Sequence, residues 1–130
     1  MLFRSDYLAR RLETVTIESR DASDVIETYD TPSTFHFVDP PYVNSDCGHY
    51  EDLFGEDDLV RLLKLLSTIQ GKFMLTMFPH DHISQFSTAH DWTIHRVERT
   101  ISASKTSRRK QEEWIVCNYR KAEGVQSLFD

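Results

Sequence analysis

The sequence predicts an α/β fold: a mostly parallel sheet with flanking helices and an antiparallel terminal strand. Short runs rich in β-branched and aromatic residues alternate with runs of helical period, the pattern of strand–helix–strand units. The clearest helix lies between two such strands, where a right-handed crossover would make them parallel neighbours. The length of 130 residues allows one domain, so 1–130 is read as a single unit.

In chain order, Thr14–Glu18 reads as the first strand and Ser23–Tyr29 as a short helix with Ser23 as its cap. The apolar run Thr34–Val38 is the second strand. A helix from Glu56 to Ile69 follows from Leu59, Leu62, Leu63, Leu66 and Ile69 at spacings of three and four, and Gly71 stops it. Phe73–Met77 is the next strand. His82–Ala89 is a helix with Pro79 before it and Asp81 as its cap, and Thr93–Val97 and Glu113–Tyr119 are the last strands. On this reading Thr14–Glu18 leaves the sheet with an exposed edge that invites pairing.

Composition narrows the class. With 39% hydrophobic and 12% aromatic residues the chain can bury a modest core. Its start has no long apolar stretch and no window approaches the roughly 18 apolar residues of a membrane span, so a cytoplasmic home is expected. Cys47 and Cys117 lie far apart in neither pairing nor metal spacing and read as reduced thiols.

The most informative residues are Asp39-Pro40-Pro41-Tyr42, at the end of the Thr34–Val38 strand. They suit chemistry on a planar amino group, which needs two hydrogen-bond acceptors and a flat surface. The Asp39 carboxylate can accept one N–H and the Pro40 carbonyl the other, while Tyr42 offers a stacking face. Each proline fixes φ near −65° and pushes the preceding residue out of the helical region, so the acceptors are held before any substrate arrives. The loop also sits beyond the carboxyl end of a strand, where open α/β sheets bind ligands. The plainer alternative is a simple turn.

At this tetrad the chain resembles the adenine-specific DNA amino-methyltransferases of the DNA adenine methylase type. Arg11-Leu12, Val15–Glu18, Asp21, Val25-Ile26, Tyr29-Asp30 and Pro32 are similar to the family's approach to its catalytic loop. Tyr50, Phe54, Glu56-Asp57-Asp58, Gly71–Thr76, Glu112–Val116 and Asn118-Tyr119 are similar to its later segments. The likeness covers about residues 10–120.

It implies a partial Rossmann-like S-adenosylmethionine-dependent methyltransferase fold and transfer of a methyl group to the exocyclic nitrogen of an adenine flipped out of DNA. Asp39, Pro40, Pro41 and Tyr42 would be the catalytic residues, and Asp39 and Asp21 would meet the cofactor. Asp21 reads equally well as a neighbour of the helix cap. Relatives that methylate protein glutamine or cytosine generally carry Asn or Ser where this chain has Asp39, which favours adenine. One feature departs from the family: Gly48, Gly55, Gly71 and Gly124 form no glycine-rich cofactor loop. The chain therefore reads as the carboxyl-terminal half of a methyltransferase domain. Its expected partner is a second copy or a separate polypeptide carrying the glycine-rich half. The rival reading is a remnant of an interrupted prophage or restriction gene, a non-catalytic assembly or nucleic-acid-binding module that keeps the half-sheet.

A net charge of −6 is unusual for a DNA binder. It hides a division: Asp39 to Asp58 holds seven acids and no Lys or Arg, while Arg96 to Lys110 holds six basic residues against Glu98 alone. Lys105, Arg108, Arg109 and Lys110, on a loop with Ser102, Ser104, Thr106 and Ser107, form a candidate phosphate contact, weighed against a solvated hairpin loop. His80-Asp81-His82, with His90, Asp91 and His95, is set aside as a metal site because its i,i+2 histidines lead into a helix. His36, Trp92 and Trp114 are read as packed residues.

Overall fold

The computed structural model describes residues 2–43, 54–104 and 107–120, and side chains within 5–43, 54–100 and 109–120. The elements run α1 (Leu2–Leu12), α2 (Ala22–Tyr29), β1 (Phe35–Val38), α3 (Glu56–Leu66), β2 (Lys72–Met77), α4 (Asp81–His90), β3 (Thr93–Ser104) and β4 (Ser107–Cys117). No helix among the described residues is long and apolar enough to cross a membrane.

The four strands form one sheet in the order β1-β2-β4-β3. β1 and β2 are parallel with Val38 opposite Leu75, as the leucine-rich crossover predicts. The other two pairings, β2 with β4 and β3 with β4, are antiparallel. The expectation of a mostly parallel sheet is therefore corrected to a mostly antiparallel one. For β3 and β4 the reason is connection length: a parallel neighbour needs a crossover of a dozen or more residues, and β4 begins at Ser107, three positions after β3 ends at Ser104.

The expected strand Thr14–Glu18 is a second correction. Residues 15–19 are in no regular element, and Val15 and Ile17 are 44% and 84% exposed. Its alternating pattern is that of a strand, but a strand persists only with a ladder partner for its N–H and C=O groups. Among the described residues the edge strands of the sheet are β1 and β3, not this segment. The sequence reading also assigned nothing to 2–12, which forms α1. Tyr7, Leu8 and Leu12 on it are all more than half exposed, so its residues do not mark a core-facing stripe.

The core lies on one face of the sheet. β2 alternates strictly, burying Phe73, Leu75 and Met77, and β4 adds Trp114 and Val116. Leu59, Leu62, Leu63 and Leu66 of α3 and Ile83 of α4 cover them. Each such side chain stabilises the fold by roughly 1.5–3 kcal/mol. Trp92 packs edge-on against Phe73 with centroids 4.9 Å apart, so both tryptophans are core residues, as expected. Phe35 and Phe37 lie on the opposite face with Lys72 and Met74 and remain 52% and 63% exposed.

Helix ends differ in detail from the sequence expectation. α3 stops at Leu66 because the Ser67 and Thr68 hydroxyls turn back onto the carbonyls of Lys64 and Leu65. Gly71, the expected stop, serves another purpose. A Cβ there would lie 2.4 Å from the Thr34 carbonyl oxygen and 2.9 Å from that of Thr31, so only glycine lets these backbones meet. Beside it Asp30 ties the crossover shut. Its carboxylate accepts from the N–H groups of Gln70 (2.7 Å) and Gly71 (3.0 Å) and pairs with His36 Nε2 (3.1 Å). His36 is buried, the packed strand residue that was expected.

Candidate active site at the carboxyl end of β1

β1 ends at Val38, and the next residue on β1 and β2 brings Asp39 beside Thr76. The Thr76 hydroxyl donates to Asp39 Oδ1 at 2.5 Å. Thr76 is itself held by pairing with Ile115 of β4. Asp39 is exposed, Pro40 half-buried and Pro41 exposed. Among the described residues Asp39 Oδ2 has no donor.

A hollow of about 550 Å³ opens here, within the range of small-molecule sites. Asp39, Pro40 and Pro41 line it, together with Phe37, Val38 and His36 of β1, Leu62 and Arg61 of α3, and the start of α2. Asp21 lines it too, so the two acids singled out for the cofactor share one cavity. Asp21 is also the N-cap of α2, accepting from the Ser23 N–H at 2.9 Å. The cap is thus Asp21 rather than Ser23. The cap bond engages only Oδ1.

Tyr42 stands outside the lining. Its ring packs edge-on against Phe78 with centroids 4.5 Å apart, and it is half-buried against the core cluster. Burial pushes its phenol pKa up, a hydrogen bond with Thr76 pulls it down, and the charges of Glu113 and Asp39 add to the rise.

Three further residues of the hollow went unassigned in the sequence reading. Arg20 pairs with Glu18, and the Tyr29 hydroxyl donates to Glu18 Oε1 at 2.5 Å. The Tyr29 bond, then the Arg20 bond, holds the Glu18 carboxyl below its usual value, and the same contact raises the Tyr29 phenol. The signal available was position alone, since Glu18 and Arg20 flank the route into Asp21. In all, the lining holds four carboxylates (Glu18, Asp21, Asp39, Asp58) against two guanidiniums (Arg20, Arg61). Such a balance suits a cationic ligand.

A family model for D12 class N6 adenine-specific DNA methyltransferases matches residues 4–112. The chain belongs to that family. No curated protein matches it. The match runs from α1 through the tetrad, α3, β2, α4 and β3 into the first half of β4, so the D12 assignment rests on most of the chain and not on the tetrad alone. Membership gives the chain an adenine-specific DNA methyltransferase kind of function.

The D12 chain's other marked residues divide. Lys105 lies outside the described residues, and Arg108 is placed on β4 without a described side chain. Arg109 and Lys110 are exposed on β4, and Lys110 Nζ lies 3.4 Å from Glu98 Oε2. The stretch expected as a loop is mostly the end of a long hairpin. Its strands bring Glu112 and Glu113 across to Arg96 (3.9 Å) and Arg99 (3.2 Å), acids that a linear count of charges missed.

At the histidines, His80 rather than Asp81 caps α4: His80 Nδ1 accepts from the His82 N–H at 3.1 Å. In the neutral ring that places the proton on Nε2, which lies 3.8 Å from Glu56 Oε1, while His82 Nε2 lies 2.9 Å from the same oxygen. Glu56, His80 and His82 converge closely enough to suggest a metal. A ligating histidine, however, donates its other ring N–H, and His80 Nδ1 is already accepting one. Cys47 lies outside the described residues. Cys117 is buried and its thiol pKa is raised by that burial, so it is an inert packed thiol.

Proposed function

We propose that the chain forms the base-holding half of an adenine N6-methyltransferase site. The observation that carries this reading is Asp39: one carboxylate oxygen is held by Thr76, the other has no donor among the described residues, and the residue lines a hollow shared with Asp21. Asp39 Oδ2 accepts one N–H of a flipped adenine's amino group, and the Pro40 carbonyl accepts the second. Both N–H bonds are then held in plane and the nitrogen lone pair faces the methyl donor. As positive charge grows on that nitrogen, the adjacent carboxylate stabilises it. Asp39 has no need to remove the proton early. Tyr42 stacks on the extruded ring and offsets part of the few kcal/mol that extrusion costs. This asks the Tyr42 ring, now against Phe78, to present a face to the incoming base.

S-adenosylmethionine supplies the methyl group on a sulfonium centre. The acid-rich hollow suits a cation of that size, and on this reading Asp21 and Asp39, which both line it, meet the cofactor, Asp21 accepting from its adenine amino group. The absence of a glycine-rich loop among Gly48, Gly55, Gly71 and Gly124 leaves the methionine end without its usual backbone cradle. The bare edge of β1, with Phe35 and Phe37 exposed beside it, supports a partner at that edge. That partner is a second copy or a polypeptide carrying the glycine-rich half. DNA phosphates meet the exposed Arg109 and Lys110 face of the hairpin, with Lys105 and Arg108 nearby in sequence.

Calorimetric titration with S-adenosylmethionine tests the reading, using the chain alone and then with a glycine-rich methyltransferase half. Saturable binding that weakens in Asp21→Ala is expected in at least the second arm. Lack of binding in both arms would favour a non-catalytic assembly module.

A further inference from the structure

The geometry points to Thr76 as a positioning residue for the D12 site: its hydroxyl fixes the rotamer of Asp39, so that the free carboxylate oxygen is aimed before a base arrives. This rests on the functional reading above and extends it to a residue on a different strand from the tetrad.

Asp39 needs such a brace. It follows the last paired residue of β1, is exposed, and has no other hydrogen-bond donor among the described residues. An exposed carboxylate on a flexible Cβ would sample several staggered positions. Thr76 does not share that freedom. It lies inside β2, paired on one side with β1's neighbouring register and on the other with Ile115, and its branched Cβ restricts χ1. Its single hydroxyl proton goes to Asp39 Oδ1 at 2.5 Å. That bond orders Oδ1 and leaves Oδ2 for substrate.

The test compares Thr76→Val, which keeps shape and branching but removes the hydroxyl, with Thr76→Ser, which restores it. The first readout is independent of catalysis: three-bond couplings from the Asp39 Hα to its two Hβ protons, measured by NMR on the full chain. Wild type and Thr76→Ser should show one large and one small coupling. Thr76→Val should show two averaged couplings, with the amide spectrum otherwise preserved. The second readout is kinetic, in whichever preparation transfers methyl groups to DNA. Thr76→Val should lower kcat about tenfold, the effect of one lost hydrogen bond, with KM for DNA nearly unchanged and kcat recovered in Thr76→Ser. Wild-type couplings in Thr76→Val would overturn the proposal. Averaged couplings without any methyl transfer in any preparation would leave Thr76's hold on Asp39 standing and overturn the functional reading instead.

Discussion

The two aspartates at the ends of β1 make an instructive pair. Asp30, before the strand, has three partners: the N–H groups of Gln70 and Gly71 and the ring of His36. Asp39, after it, has Thr76 alone among the described residues. The first carboxylate is used up by the fold, and its pKa is lowered chiefly by the Gln70 bond. The second keeps an oxygen in reserve and lines a hollow. Spare acceptor capacity at a strand's carboxyl end, beside a saturated twin at its other end, separates a residue that works on a ligand from one that works on the chain.

The contrast can be broken most sharply by mutating the unsaturated member. Asp39→Ala should reduce methyl transfer by at least about 100-fold in a catalytically competent assembly, the scale of losing one oriented electrostatic partner, while the thermal melt stays where it is. Retained methylation removes Asp39 from the chemistry. At the saturated end the signs reverse. Gly71→Ala drives a methyl group into the Thr34 carbonyl and should cost about 3 kcal/mol or prevent cooperative unfolding, read by circular dichroism.

Asp30→Asn should lower the melting temperature by several degrees at pH 7, since an amide NH₂ would face donors. Its pH dependence sharpens the comparison. The folded pKa of Asp30 is below its unfolded value of about 4, so its contribution is complete above that pH and is lost as pH falls through the lower folded value. Urea melts should therefore show wild type and Asp30→Asn converging below about pH 4. A gap independent of pH would mean that the carboxylate charge is not what closes the crossover. The smallest effect concerns the hairpin. Lys110→Ala should reduce the salt dependence of DNA binding by at most about one unit of log–log slope, because Glu98 already engages the lysine.

What the sequence made legible was local. The tetrad could be read because prolines and a preceding strand fix its geometry within a few residues, and the β1–α3–β2 crossover because leucines at helical spacing sit between two apolar runs. The Asp30 closure could not be read, since its partners Gln70 and Gly71 lie 40 and 41 residues away. Thr76 was missed for the same reason, standing 37 residues from Asp39. Thr14–Glu18 misled in the opposite direction: its pattern is a strand's, but pairing is a property of neighbours and none lies alongside. The cross-strand acids Glu112 and Glu113 likewise became visible only once the long hairpin set them against Arg96 and Arg99.

The most direct measurement is product analysis. The chain, with a glycine-rich half supplied, would be incubated with DNA and S-adenosylmethionine labelled on the methyl group, and the DNA digested to nucleosides. Label recovered as N6-methyladenine is the predicted result. Label on cytosine, or cofactor bound without any methyl transfer to DNA, would contradict the account.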